Sequence, residues 1–120
     1  MKMKVLVFDI DDALFNIIKF TLQRHADIKV DRAGSWSQAI ASLQNANFNL
    51  VITDISLPKH TGIDLIRFVR ENFNIEIPVL GLIDGYHESV VDKTNRLAIS
   101  EFIFKPINPL EFYNQVIKYL

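Results

Sequence analysis

The sequence predicts an α/β fold, a doubly wound five-stranded parallel sheet with helices on both faces. Short runs typical of β-strands alternate with stretches of helical periodicity along the whole chain, which is the order of repeated βα units. Three of the runs are apolar throughout, as strands covered on both faces should be. The chain has 120 residues, of which 49% are hydrophobic, and this fits one domain over residues 1–120 with a core of its own.

The predicted strands are short, and each is followed by a candidate helix. Apolar side chains that recur at intervals of three and four residues indicate those helices. The strands are expected at Val5 to Phe8, Ile28 to Arg32, Leu50 to Thr53, Val79 to Ile83 and Phe102 to Phe104.

The helices follow the strands in order. The first is indicated by Leu14, Ile18 and Leu22, and the second by Ala39 and Leu43. Ser35 or Ser37 can cap the second helix, and Asp64 is expected to begin the third. The fourth is placed at Glu88 to Ala98 and is the least clearly amphipathic, while the fifth is expected to follow Pro109.

Composition argues against several classes of protein. The chain has no cysteine, and neither a long apolar segment nor a signal-peptide pattern is found, so a cytoplasmic protein without a membrane partner is expected. Thirteen Lys and Arg face 14 Asp and Glu, for a net charge of −1. Because no block of like charge stands out, this domain is not expected to bind nucleic acid.

Charged residues stand where three of the predicted strands end. Asp9 closes the first run, Asp54 follows the third, and Lys105 follows the fifth. The carboxyl ends of parallel strands meet at one edge of the sheet, where open α/β sheets bind their ligands. An aspartate that attacks a phosphoryl group needs cations beside it, because two anions are brought together. The two carboxylates and the ammonium therefore suit a covalent aspartyl phosphate.

The whole chain resembles the receiver domains of bacterial two-component response regulators, which have the CheY-like, or flavodoxin-like, fold. Two segments carry the resemblance, Leu50 to Ile66 and Phe102 to Pro106. Within the first, the matching positions are Asp54, Leu57-Pro58, Gly62 and Asp64-Leu65. The resemblance implies a signalling module, not an enzyme, in which Asp54 receives a phosphoryl group from a histidine kinase, a phosphotransfer protein or a small phosphodonor.

The resemblance also implies a cofactor, further site residues and a second partner. Mg²⁺ would be bound by Asp9, Asp54 and the backbone carbonyl of Ser56, and Lys105 would pair with the phosphoryl oxygens. A second copy of the chain would bind through the fourth helix, fifth strand and fifth helix.

Two positions depart from the family's pattern. Ile10 stands where receivers have a second acid that binds Mg²⁺ directly, so weak Mg²⁺ binding is expected, and Ile10→Asp is expected to restore a ligand. Asp11 or Asp12 is the alternative source of that ligand. Ile83 stands at the switch position, where receivers have Thr or Ser, and Phe102 matches the switch aromatic. Because isoleucine has no hydroxyl and is stiff at χ1, the switch is expected to be uncoupled or rewired.

Two alternatives stay open. One is a pseudo-receiver that docks to its partner without ever being phosphorylated. The other follows from Phe8 to Leu14, which resemble the first motif of haloacid-dehalogenase-type phosphohydrolases, with Asp9 as nucleophile and Asp11 as acid/base. The chain length argues against this family, and Asp84 and Asp92 are poor substitutes for its late acidic pair. For Asp11 and Asp12, the simpler interpretation is that they complement a helix dipole.

Overall fold

The computed structural model describes residues 2–25, 27–56, 60–73 and 76–120. Strands and helices alternate along this part of the chain, as the sequence predicts. Leu57 and Pro58, which belong to the motif after Asp54, lie outside the described residues. The elements are β1 (Met3–Phe8), α1 (Asp12–Gln23), β2 (Ile28–Ala33), α2 (Trp36–Asn45), β3 (Leu50–Asp54), α3 (Thr61–Asn72), β4 (Val79–Ile83), α4 (Glu88–Arg96), β5 (Glu101–Phe104) and α5 (Pro109–Ile117).

The sheet has five parallel strands in the order β2-β1-β3-β4-β5. The first strand, β1, lies next to the edge of the sheet; the chain passes from it to the edge strand β2 and then returns across β1 to β3. The predicted doubly wound fold is therefore confirmed. In such sheets the direction of winding reverses between two neighbouring strands, here β1 and β3, and a crevice opens at their carboxyl ends.

Successive side chains along the strands point alternately into two apolar cores, one on each face of the sheet. The first core takes Phe15 and Ile18 from α1 and Phe112 from α5. The second takes Ile66 from α3 and Val90 from α4, and α2 also packs on this face. Burying one such side chain contributes about 1.5–3 kcal/mol, so packing on the sheet accounts for most of the stability of these short helices.

Two predicted helix boundaries are wrong. Helix α3 begins at Thr61 and not at Asp64, which instead lies in the first turn. Thr61 and Gly62 have low helix propensity, and this hid the first turn in the sequence. Helix α4 ends at Arg96, before Ala98, whose φ of 56° is left-handed and breaks the helix.

Two other helix predictions are confirmed. Ser35 caps α2, because its side chain accepts a hydrogen bond from the Gln38 N–H. Helix α5 begins at Pro109. No helix within the described ranges is both long enough and apolar enough to cross a bilayer.

Candidate functional site

The sheet register brings the predicted site residues to one edge. Phe8 of β1 pairs with Thr53 of β3, so Asp9 and Asp54 are the next residues on neighbouring strands. Lys105 directly follows β5, and its N–H donates to the Ile83 carbonyl at 2.8 Å. The carboxyl ends of β1, β3 and β5 thus supply the three charged side chains that the sequence singled out.

The Asp54 carboxylate is held from two sides. Its Oδ2 lies 2.6 Å from the Lys105 Nζ, and its Oδ1 accepts a hydrogen bond from the Ser56 N–H at 2.8 Å. Charge-assisted hydrogen bonds of this length are among the stronger polar contacts in proteins. The side chains of Asp54 and Lys105 keep 19% and 25% exposure. The carboxylate is therefore fixed in orientation and still accessible from solvent.

Asp9 lies beside this pair in an unusual backbone conformation. Its φ of 58° is left-handed, a region that residues other than glycine adopt rarely, although Asp and Asn do so more often than most. Its Oδ2 accepts a hydrogen bond from the Thr61 hydroxyl at 2.5 Å. Sequence reasoning missed Thr61, and the only signal for it was its place before Gly62 in the segment that follows Asp54.

Gly62 lets α3 start close to the backbone of Asp54. A Cβ at this residue would overlap the backbone carbonyl oxygen of Asp54 and would also lie 2.9 Å from the Thr53 Oγ1. Only glycine allows this approach without a shift of the backbone. The approach in turn places Thr61 against Asp9.

The oxygen atoms at this edge fit a magnesium ion in their chemistry. Mg²⁺ prefers hard oxygen ligands and is usually held by one or two carboxylates together with water and phosphate oxygens. Asp9, Asp54 and the Ser56 carbonyl offer two carboxylates and one carbonyl. Within the described residues, no group of three or more acidic, histidine or cysteine side chains is placed to hold a metal. A magnesium ion at this edge would therefore have fewer protein ligands than a site with three acids.

The side chain of Ile10 does not face this edge. It is 6% exposed and belongs to the core under α1 and α5. The loop conformation turns the side chain at position 10 into the apolar core, which argues against the expectation that Ile10→Asp would restore a metal ligand; that expectation stays a prediction.

Asp11 and Asp12 do not replace the missing acid either. Asp11 caps α1, because its Oδ1 accepts a hydrogen bond from the Leu14 N–H at 2.8 Å. Asp12 forms an ion pair with Arg32, with Oδ1 and Nη1 2.7 Å apart. Both carboxylates thus have partners at the start of α1, in line with the simpler interpretation.

Ile83 and Phe102, which are expected to form the switch, lie on the opposite face of the sheet from Ile10. Ile83 is fully buried in the core beneath α3 and α4, and Phe102 is half-buried against the same core. Farther along β5, Phe104 is 55% exposed. At the face expected to bind a second copy, Glu101 Oε1 pairs with Lys118 Nζ at 3.1 Å.

Ser56 links the two loops that follow β3 and β4. Its N–H donates to Asp54, and its Oγ accepts a hydrogen bond from the Asp84 N–H at 3.2 Å. The Asp84 carboxylate lies 3.7 Å from the His87 Nε2 at the start of α4. The sequence suggested only the Ser56 carbonyl, so the role of its hydroxyl is a further contact that sequence reasoning missed.

Comparison with known proteins decides the family. The model of the response regulator receiver domain matches residues 5–117. The chain belongs to this family. The predicted resemblance is confirmed, and the family match decides against the phosphohydrolase alternative, in which Asp11 would be the acid/base and not the cap of α1.

Individual receivers resemble the chain over most of its length. It is 28% identical over 117 residues to the chemotaxis protein CheY of Pseudomonas aeruginosa, which covers 97% of this chain and 90% of that protein. It is 30% identical over 112 residues to CheY1 of Helicobacter pylori, which covers 89% of this chain and 88% of that protein. The structure of chemotaxis protein CheY4 of Vibrio cholerae superposes with a TM-score of 0.88 at 25% identity, covering 100% of both chains.

Receiver domains are the signalling modules of two-component and chemotaxis systems. They interact with histidine kinases or phosphotransfer proteins and in general bind Mg²⁺ at the phosphorylation site. This receiver is accordingly a module of that kind.

Proposed function

We propose that Asp54 accepts a phosphoryl group from a phosphohistidine of a partner protein or from a small phosphodonor. The observation that carries this proposal is the 2.6 Å contact between Asp54 Oδ2 and Lys105 Nζ at the carboxyl edge of β3. In the transfer, an Asp54 carboxylate oxygen attacks phosphorus and the O–P bond forms. The N–P bond of the donor breaks, and the imidazole nitrogen leaves with the bonding electrons and is protonated by solvent.

The residues of this chain orient the reactants and offset their charge. The Lys105 ammonium neutralises Asp54 and stays within reach of the phosphoryl oxygens, and the Ser56 N–H fixes the rotation of the carboxylate. Asp9, Asp54 and the Ser56 carbonyl would hold magnesium, which when bound supplies a second cation beside the phosphoryl oxygens. With two carboxylates, the affinity for magnesium is weak, and phosphorylation needs a high magnesium concentration.

Signal transmission is a second step, after magnesium binding, that we propose to be altered in this receiver. Ile83 is fully buried and offers no hydroxyl to a phosphoryl group. Phosphorylation of Asp54 therefore moves Phe102 little, and the face of α4, β5 and α5, which would bind a second copy, has much the same shape in both states. The pseudo-receiver is the second candidate, because the same buried isoleucine suits a domain that docks without being switched.

The surface between α1 and α5 suits the protein phosphodonor. An apolar groove of about 930 Å³ lies between these helices, and Phe20 and Leu110 on its walls are 72% and 70% exposed. A second groove of about 470 Å³ shares Ile17 with it and reaches Lys105. A helix of the donor bound along α1 would thus end beside the proposed phosphoacceptor.

The test is the intact mass of the protein after incubation with acetyl phosphate and Mg²⁺. We expect one phosphate that hydroxylamine removes, that grows slowly, and that increases with Mg²⁺ and disappears with EDTA. Asp54→Asn should abolish it, whereas Asp84→Asn, which changes another exposed carboxylate near this edge, should leave it. If no phosphate is added under any condition, the proposal fails and the pseudo-receiver is favoured.

A further inference from the structure

The loop between β1 and α1 carries Asp9 and needs support from outside itself. Asp9 has a left-handed φ of 58°, and the next side chain, Ile10, points into the core. Backbone conformations of this kind persist at functional sites only where the surrounding structure imposes them. The Thr61 hydroxyl holds the Asp9 carboxylate, but this contact does not explain what holds the backbone.

One side chain, Arg32, spans this loop from the end of β2. Its Nη2 donates to the Ile10 carbonyl at 2.8 Å, and its Nη1 lies 2.7 Å from Asp12 Oδ1. The guanidinium also lies over the Phe15 ring, 4.8 Å from its centroid. Arg32 therefore contacts both the residue after Asp9 and the first turn of α1. The planar guanidinium of arginine presents several N–H donors in a fixed arrangement, and a lysine ammonium cannot reproduce this set of contacts.

The three contacts differ in weight. The side chain of Asp12 is 88% exposed, and exposed ion pairs contribute little. The hydrogen bond to the Ile10 carbonyl and the contact with the Phe15 ring involve the partly buried side of the guanidinium. The Arg32 side chain as a whole is 33% exposed. The Ile10 carbonyl is thus the contact through which Arg32 acts on the neighbouring Asp9.

We propose that Arg32 is a positioning residue that holds the β1–α1 loop in the conformation presenting Asp9 to magnesium. The statement about magnesium, the metal half of this inference, rests on the proposed function. The statement about the loop conformation, the loop half, does not. Groups around a metal ligand that fix its orientation commonly change metal affinity by about tenfold or more when they are replaced.

A simple charge effect predicts the opposite sign. If the guanidinium acted only through its positive charge, its removal would strengthen the binding of a cation to this edge of the sheet. If it positions Asp9, its removal weakens that binding. The direction of the change in magnesium affinity therefore separates the two explanations.

The experiment uses nuclear magnetic resonance on the full chain, with wild type, Arg32→Met, Arg32→Lys and the control Arg24→Met. Arg24 lies over the Phe20 ring at 6.0 Å, at the other end of α1. Without metal, the ¹³Cα and ¹³Cβ shifts of Asp9 report whether its backbone is left-handed. A titration with MgCl₂ then gives the dissociation constant, and a thermal melt shows that each variant is folded at the temperature used.

We expect Arg32→Met to move the Asp9 shifts away from left-handed values and to weaken magnesium binding about tenfold. Arg32→Lys keeps the charge and disturbs the fold less. Its Asp9 shifts and its magnesium affinity should lie between those of Arg32→Met and wild type. Arg24→Met should change neither.

Unchanged Asp9 shifts in Arg32→Met, equal or tighter magnesium binding, or full recovery by Arg32→Lys would each overturn the inference. If wild type binds no magnesium, the metal half is overturned, and the shifts still decide the loop half. If wild type binds magnesium but takes no phosphate, the proposed function fails while the role of Arg32 is still decided by these measurements.

Discussion

At the scale of single residues, two isoleucines that look alike in the sequence have different consequences. Both stand where the resemblance to receivers leads us to expect polar side chains. The structure places Ile10 in the core under α1 and α5, and Ile83 in the core under α3 and α4. Ile10 therefore belongs to the loop that carries Asp9, whereas Ile83 is expected to affect the proposed path from Asp54 to Phe102.

Replacing Ile10 with aspartate tests its inward orientation. Because Ile10→Asp puts a carboxylate into an apolar core, it should lower the free energy of unfolding by about 3 kcal/mol or more. The control Ile10→Val should cost about 1 kcal/mol. Urea denaturation with and without Mg²⁺ measures both. If Mg²⁺ removes the cost of Ile10→Asp, the side chain reaches the metal and the inward placement is wrong.

Replacing Ile83 with threonine tests the switch. In wild type, beryllofluoride bound at Asp54 should shift amide resonances near the site only. In Ile83→Thr the shifts should extend to Phe102 and α4, because a hydroxyl becomes available. Ile83→Val changes the volume without adding a hydroxyl and should behave as wild type. Large distant shifts in wild type would show that Ile83 does not uncouple the switch.

The sequence predicted the site residues that end strands and missed those that support them. Asp54 and Lys105 were found because each directly follows an apolar run. Thr61 and Arg32 were missed because each bonds to a residue far away in the chain, 52 positions for Thr61 with Asp9 and 22 for Arg32 with Ile10. In the sequence such side chains cannot be told apart from other polar residues, because their partners are known only once the chain is folded.

At the scale of elements, the start of α3 shows tertiary packing overriding helix propensity. Propensity alone predicts that Gly62→Ala would stabilise α3 by about 1 kcal/mol. The structure predicts the reverse, because the new methyl would overlap the Asp54 backbone carbonyl. This is also why the sequence placed the start of α3 too late, at Asp64.

We predict that Gly62→Ala lowers the free energy of unfolding by about 2 kcal/mol or more and slows phosphorylation of Asp54. Gly81→Ala is the matched control. Its new methyl would lie 2.6 Å and 2.7 Å from the Cδ1 atoms of Ile55 and Ile99, and these flexible ends can move. Gly81→Ala should therefore lower the free energy of unfolding less than Gly62→Ala does, and it should leave the phosphorylation rate nearly unchanged. Urea denaturation and phosphate incorporation check both, and a stabilising Gly62→Ala would contradict the close approach.

At the scale of the whole molecule, the parallel sheet brings Asp9, Asp54 and Lys105 to one edge, and the proposed docking groove for the phosphodonor lies between two helices. The doubly wound parallel sheet could be predicted because runs typical of strands and helices alternate along the chain without interruption. The groove between α1 and α5 could not, since it depends on how two helices distant in the chain pack side by side.

The groove between α1 and α5 leads to a prediction about the phosphodonor. Leu110→Ser should lower kcat/KM for phosphotransfer from a protein donor about tenfold, the effect of losing about 1.4 kcal/mol of binding. Transfer from acetyl phosphate should not change, because a small donor needs no docking surface. Tyr86→Ser, which removes another side chain that is 70% exposed, should affect neither. Equal losses with both donors would place the effect at Asp54 and not at the groove.

The most direct test of the account is to locate the phosphate on the chain. After incubation with acetyl phosphate and Mg²⁺, borohydride reduces an aspartyl phosphate to homoserine, and tandem mass spectrometry of the digested protein then identifies the modified position. We predict homoserine at position 54 and at no other aspartate. Homoserine at position 9 or 11 with none at 54, or no homoserine in protein whose intact mass shows an added phosphate, would contradict it.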